Sequence, residues 1–394
     1  MSERRLLGDL FTLEYGNALP SEKRSGHGYP VFGSSGLVGF HQKPLVPGPG
    51  VIVGRKGTVG SVTWSENSFW PIDTAYFVQP KVPLDLRWLF WLLKSLPLNR
   101  LDTSTGVPGL NRNDVAEIPA FVPPLPEQRR IAAILDTLDR TIEGTQRVIE
   151  KLQATRQGLL HDLLTRGLDE RGQLRDPERN PEQFKETELG RVPVGWEVRT
   201  VGEISDTYAG GTPDRQNPTN FGGGIPWVKS GEVNRPTIND TEETITQLGL
   251  LSSSAKWIPP GTPLVAMYGA TAGVVSWLQI RATANQAVLA IQPKEAKTSA
   301  RWLYWSLTLS TPRLLATVQG SGQPNLSKGV VDELRLAIPS SAAEQNKIAA
   351  LLDVYVERLE AEKVQLAKLQ ALKRGLMEDL LTGRVRVAVA EVGT

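Results

Sequence analysis

The sequence has no cysteine and only three histidines, His27, His41 and His161, in 394 residues. Structural disulfides and thiolate zinc sites are thereby excluded, and three scattered imidazoles offer no histidine-based metal centre. No stretch approaches the roughly 18 apolar residues of a membrane span, and the opening MSERRLLGDLF lacks a signal-peptide core. A soluble cytoplasmic protein is the expectation. Excess charge of one sign is small, a formal +2, which permits nucleic-acid binding through local basic patches without demanding it. Catalytic patterns are also missing: there is no H-E-x-x-H, no G-x-S-x-G and no spaced carboxylate-plus-lysine nuclease pattern. Asn217-Pro218-Thr219-Asn220 is not the Asn-Pro-Pro-aromatic run of an amino-methyltransferase. No enzyme is expected from these residues.

What is present points to cored domains, since 40% of residues are hydrophobic and ten are Trp. The dominant feature is a repeat. Glu127 to Thr165 recurs without a gap as Glu344 to Thr382, with about 18 of roughly 39 positions identical. Each copy reads as one long helix, because apolar residues alternate at spacings of four and three with no proline inside. The seam of the first copy runs Ile131, Leu135, Leu138, Ile142, Thr145, Ile149, Leu152, Arg156, Leu159, Leu163. In the second copy it runs Ile348, Leu352, Tyr355, Leu359, Glu362, Leu366, Leu369, Lys373, Leu376, Leu380. Both seams turn polar at the same two steps. An antiparallel pair satisfies every position in one register that sets Arg156 against Glu362, Thr145 against Lys373 and Ile149 against Leu369. A buried or half-buried Arg156–Glu362 contact would then fix alignment more than add stability.

Around these helices the chain divides in two. Residues 1–122 form a mixed, strand-rich module, with β-prone runs at Tyr29 to Phe32, Val51 to Val53, Ser61 to Trp64 and Ala75 to Val78 between Gly and Pro clusters. Leu86 to Leu96 is its one convincing helix, with aromatics expected in the core. Residues 123–165 carry the first helical spacer, and 166–186, charged and proline-bearing, read as a linker over the surface. A second module at 187–340 repeats the plan, a second helical spacer fills 341–383, and 384–394 form a tail. The fold class is therefore α+β: two mixed modules joined by two long antiparallel helices in a duplicated, pseudo-twofold molecule. Gly261 to Trp277 answers Gly48 to Trp64 as strand, glycine-rich turn and returning strand.

The turn Gly54-Arg55-Lys56-Gly57-Thr58-Val59-Gly60 lacks P-loop spacing and returns into a strand, so nucleotide binding is not expected. A hairpin offering Arg55 and Lys56 to a polyanion fits, with glycine allowing close backbone approach. An ordinary tight turn with solvated cations fits equally. The matching turn around Tyr268 and Thr271 has no cation. Amide and basic groups lie elsewhere in the second module: Arg215, Gln216, Asn217 and Asn220 in one loop, Asn285 and Gln286 in another, Gln319, Gln323, Asn325 and Lys328 in a third. Asn and Gln can pair bidentately with adenine and Arg with guanine, although polar loops are also ordinary surface.

Two variable modules, each followed by a near-copy of one long helix, with Pro123-Pro124-Leu125-Pro126-Glu127-Gln128-Arg129-Arg130-Ile131-Ala132 at the first junction, resemble the specificity subunit of type I restriction-modification systems. Further likeness lies in Phe184 to Trp196, ahead of the second module, and in Arg55-x-Gly57-x-x-Gly60. The resemblance covers essentially the whole chain. Two departures stand out: the second junction, Pro339 to Gln345, lacks the double proline, and the second glycine turn lacks the arginine. The resemblance implies a non-catalytic subunit whose two target recognition domains each read half of a split, asymmetric DNA sequence. Its helices would set the gap and dock two methyltransferase subunits, which carry S-adenosylmethionine and modify adenine, and through them restriction subunits using ATP and Mg. No cofactor on this chain is implied. Candidate DNA contacts are Arg55, Lys56, Thr58, Asn111 and Arg112 in the first module, with the Arg215, Tyr268 and Asn325 loops in the second. The alternatives are a methylation-only orphan subunit, a non-DNA adaptor tethering two peptide-binding modules, and a fused restriction-methyltransferase fragment. A helix of about 38 residues is roughly 57 Å long, compatible with half-sites about one duplex turn, roughly 34 Å, apart.

Overall fold

The computed structural model describes residues 3–101, 109–318 and 325–388. Two compact units result, residues 1–148 with 362–394, and 149–361. The boundary falls within the long helices, Leu125–Thr165 and Ala342–Leu381, so each helix begins in one unit and ends in the other.

The first unit centres on an antiparallel sheet ordered Phe11–Tyr15, Ala75–Pro80, Gly50–Gly54, Val62–Ser65. Gly50–Gly54 is buried throughout and reads as a continuous apolar run. A three-stranded sheet, Gly36–His41, Tyr29–Gly33 and Trp70–Pro71, lies beside it in the chain. The helix Leu86–Ser95 starts where Asp85 accepts the Trp88 amide at 2.8 Å, and buries Trp88 and Trp91 completely. These rings share one core with Val51 and Val53 of the sheet, Ile131 and Leu135 of the first long helix, and Leu380 and Leu381 from the end of the second. The two helices therefore run antiparallel here.

The second unit repeats the plan. Its main sheet is ordered Ser205–Ala209, Val288–Pro293, Thr262–Ala266, Val275–Leu278, with Thr237–Ile238 added in parallel. The helix Ala300–Ala316 buries Trp302 and Trp305 beside Leu160, Leu163 and Leu164 from the end of the first long helix and Ile348 and Leu352 from the start of the second. Again the helices oppose each other. The seam is legible in burial: Ile131, Leu135, Leu138, Ile142, Ile149 and Leu163 are buried in one helix, and Ile348, Leu352, Leu359 and Leu380 in the other.

Each module is bolted to a long helix by the same side chains. Arg87 Nε donates to Asp136 at 2.7 Å and Trp91 Nε1 to the same oxygen at 2.7 Å. Arg301 and Trp305 donate to Asp353 at 2.8 and 2.9 Å. The arginines lie over aromatic faces, Trp64 and Phe90 in one unit, Trp277 and Tyr304 in the other. Gln128 and Gln345, both buried, close the helix starts, accepting the Asp85 and Ser299 amides and donating to the Pro123 and Pro339 carbonyls.

The glutamates beside them hold the chain that returns after the opposite helix. Glu344 accepts from Arg175 at 2.6 Å, from the Leu168 amide at 2.9 Å and from Trp196 Nε1 at 3.3 Å. Gly167 permits this approach: its φ is +63° and a Cβ there would sit 2.4 Å from the Glu344 carboxylate. Glu127 accepts from Arg386 at 2.6 Å and from the Val387 amide at 3.1 Å. The segment expected to run over the surface as a linker is thus anchored at Leu168, which is buried, and Arg175.

The expected helix register is not adopted. Lys373 pairs with Asp139 and lies 4.6 Å from the Trp91 ring centroid, while Thr145 bonds its own helix at Thr141. Arg156 is exposed rather than buried, Glu362 and Leu369 half-buried and Ile149 buried. Arg156 is close enough to Tyr304 for its charge to act on that phenol. Lys373 therefore turns to the aromatic helix of its module, where the Trp91 ring face and the Asp139 carboxylate hold it better than a contact with Thr145 would.

Candidate nucleic-acid interface

In the first unit the glycine turn closes through Gly54 N–H to the Ser61 carbonyl at 2.8 Å and Gly60 N–H to the Gly54 carbonyl at 2.9 Å. Gly57 and Gly60 have φ of +83° and +72°, and a Cβ on Gly60 would meet Asn99 N at 2.7 Å. Arg55 is clamped on both sides. Its amide donates to Thr74 O at 2.9 Å and its carbonyl accepts from Leu110 N–H at 2.8 Å. The guanidinium donates twice to the Asp73 carbonyl, at 2.9 and 2.6 Å, and stands 5.2 Å from the Tyr15 ring centroid. Arg112 stands 5.0 Å from the same ring. Two candidates far apart in sequence thus converge on one tyrosine that is 49% exposed.

Tyr15 is a residue that sequence reasoning missed. It ends a strand and leans on Tyr76, with ring centroids 5.1 Å apart. Tyr76 is buried and donates to the Leu110 carbonyl at 3.0 Å; burial, with its bond to Tyr15, pushes its phenol up to about 12. Lys56 and Thr58 are exposed on the turn. Asn111 is an N-cap, accepting the Asn113 amide at 3.0 Å and donating to Asp114 at 3.0 Å, so it positions Arg112.

In the second unit Tyr268 is 42% exposed and lies opposite Asn325 across an isolated bridge, while Thr271 donates to the Ser230 carbonyl at 3.5 Å. Arg215 stacks over Phe221 and Trp227 at 4.8 and 4.9 Å and donates to Glu243 at 2.7 Å. Glu243 is shared with Lys229; bonds from Lys229 first and Arg215 next hold its carboxyl below the ordinary range. Gln216 is exposed. Asn217 caps the turn Pro218–Asn220, accepting from Thr219. Lys328 pairs with Asp332. Asn220 requires a correction: it is 2% exposed and donates to the Asp214 carbonyl at 3.0 Å, closing its own loop, so it is not available to read bases. Gln319 and Gln323 lie outside the described residues.

The two turns are not in the expected step. Val53 pairs with Val62 across the first hairpin, but Val265 pairs with Val275 across the second, which is one residue longer. Leu326 N–H bonds the Met267 carbonyl as Leu110 N–H bonds that of Arg55. Buried Met267 therefore occupies the place of Arg55, and Tyr268 that of Lys56.

Duplicated modules, the twice-used joint to a long helix and exposed cation-aromatic loops agree with one family model, the type I restriction modification DNA specificity domain, which matches residues 2–154 and 193–371. The chain belongs to this family. Its members are specificity subunits, the non-catalytic components of type I systems. Similar proteins include the type I restriction enzyme MjaIX specificity subunit of Methanocaldococcus jannaschii, 29% identical over 46% of this chain and 43% of that protein. The MjaVIII specificity subunit of the same organism is 23% identical over 77% of this chain and 71% of its own length. The match to MjaIX thus spans under half of that relative. Among solved structures, the S subunit from M. genitalium has the same fold, with a TM-score of 0.64 at 19% identity over 97% of this chain and 96% of that one. No helix among the described residues is long and apolar enough to cross a membrane.

Proposed function

We propose that this chain reads DNA for a type I restriction-modification complex, each module binding one half of a bipartite, asymmetric duplex target. The observation that carries this reading is the exposed meeting of Arg55 and Arg112 on Tyr15 beside a glycine turn. Guanidinium groups held at fixed angles suit phosphates and guanine edges, and an aromatic face suits a base or sugar. The long helices, each shared by both units, set the gap between half-sites. They also recruit two methyltransferase subunits: Val354 and Leu372 are exposed on the second helix, away from its seam, where a partner could cover them. S-adenosylmethionine and ATP with Mg then reside on the partners, restriction subunits joining through the methyltransferases, in the cytoplasm.

The test is methylome sequencing of a host expressing this chain with its cognate methyltransferase, against the same host lacking the chain. A new adenine-methylation motif of two short half-sites around a fixed gap is expected. With active methyltransferase and no motif dependent on this chain, DNA specificity would have to be abandoned.

A further inference from the structure

The loop cations of the two units differ in what neutralises them. Among the described residues of the first unit, Arg55 and Arg112 bond only backbone carbonyls, those of Asp73 and Leu13, and Lys56 has no side-chain partner. In the second, Arg215 pairs with Glu243, Lys229 with Glu242 as well as Glu243, Arg235 with buried Glu232 and with Asp240, and Lys328 with Asp332. Among the described residues no carboxylate pairs with Arg281 or Lys256, which flank the open end of the Thr262–Leu278 hairpin, opposite its turn.

We infer that the two modules bind DNA by different electrostatics: the first supplies the charge neutralisation of phosphates, and the second meets its half-site with charges already paired. A cation without a carboxylate displaces a condensed counterion when it reaches a phosphate, and that release makes binding salt-dependent. A cation held 2.7 Å from a carboxylate, as Arg215 is by Glu243, brings no net charge, so it releases none. What such a pair supplies is orientation, a guanidinium fixed by Glu243 on one side and by the Phe221 and Trp227 rings on the other. The first module therefore sets affinity and its dependence on salt, and the second contributes discrimination that salt hardly changes.

This rests on the DNA-reading function proposed above. The experiment is anisotropy of a labelled mixed-sequence duplex with the full-length chain over a series of salt concentrations, comparing wild type with K56Q, R112Q, R215Q and K328Q, each of which removes one charge. K56Q and R112Q are expected to lower the slope of log K against log salt by about 0.9 each, the value of one phosphate contact. R215Q and K328Q are expected to lower it by less than half as much. Lys56 makes no side-chain bond among the described residues, so its variant reports on charge even if R112Q disturbs folding. Equal losses in all four, or none in K56Q, would overturn the asymmetry while leaving DNA reading intact; a wild-type chain that binds no duplex even at low salt would overturn both.

Discussion

Replacing Glu344 by alanine leaves three donors, the Arg175 guanidinium, the Leu168 amide and the Trp196 indole, without their acceptor in a largely buried place. Removing one partner of a buried charged pair costs about 3–5 kcal/mol, and because this pair keeps slight exposure, E344A should lose about 3 kcal/mol in urea unfolding. A loss below about 1 kcal/mol would mean that the returning chain is held by something else. Glu127 makes the same latch with Arg386 and adds a pH signature. The bond from Arg386 first, with that from the Val387 amide, depresses its folded-state pKa, so its stabilisation is present above the ordinary carboxylate value and is lost as pH falls through the depressed one. The stability gap between wild type and E127Q should be widest near neutrality and close in acid below that value. A gap unchanged between neutral and strongly acidic pH would contradict the assignment.

At the scale of elements, the joint between module and helix predicts its own weakness. D136N removes the charge that receives both Arg87 and Trp91, and D353N does so for Arg301 and Trp305. A hydrogen bond to a charged group contributes about 1.5–3 kcal/mol, so each substitution should destabilise its own unit by roughly that amount. Faster amide exchange should appear in Leu86–Ser95 for D136N and in Ala300–Ala316 for D353N, each without the other; a change in both helices from one substitution would refute separate joints. The elements themselves were legible because their signals are local: short β-prone runs between Gly and Pro clusters for the sheets, four-three spacing for the long helices, and one apolar, aromatic-rich run for Leu86–Ser95. Register was not. The seam alone allowed Thr145 to face Lys373, and what moved Lys373 to Asp139 was Trp91 on a different element. Likewise the ungapped match of the two hairpins concealed the extra residue that puts Met267 in the place of Arg55. Tyr15 carries no sequence mark, being one exposed tyrosine at a strand end, and its importance emerges only when Arg55 and Arg112 come together over it. Asn220 misled in the opposite direction, since an amide that closes a loop reads in sequence like one that faces a ligand.

For the whole molecule the long helices are the part that both units share, Leu125–Thr165 leaving the first and Ala342–Leu381 leaving the second. If they set the gap in a bipartite target, their length is a specificity parameter independent of the loops. Deleting one heptad from the middle of both helices keeps the apolar seam in phase, because seven residues restore its four-three spacing. At 1.5 Å per residue the deletion shortens each helix by about 10 Å, or about three base pairs at 3.4 Å per step. The Asp136, Asp353, Glu127 and Glu344 attachments lie near the helix starts and would survive a central deletion. Methylome sequencing should then give the two original half-sites around a shorter gap. The same half-sites around an unchanged gap would show that something other than helix length measures the DNA, and altered half-sites would show that the helices help to shape the reading loops.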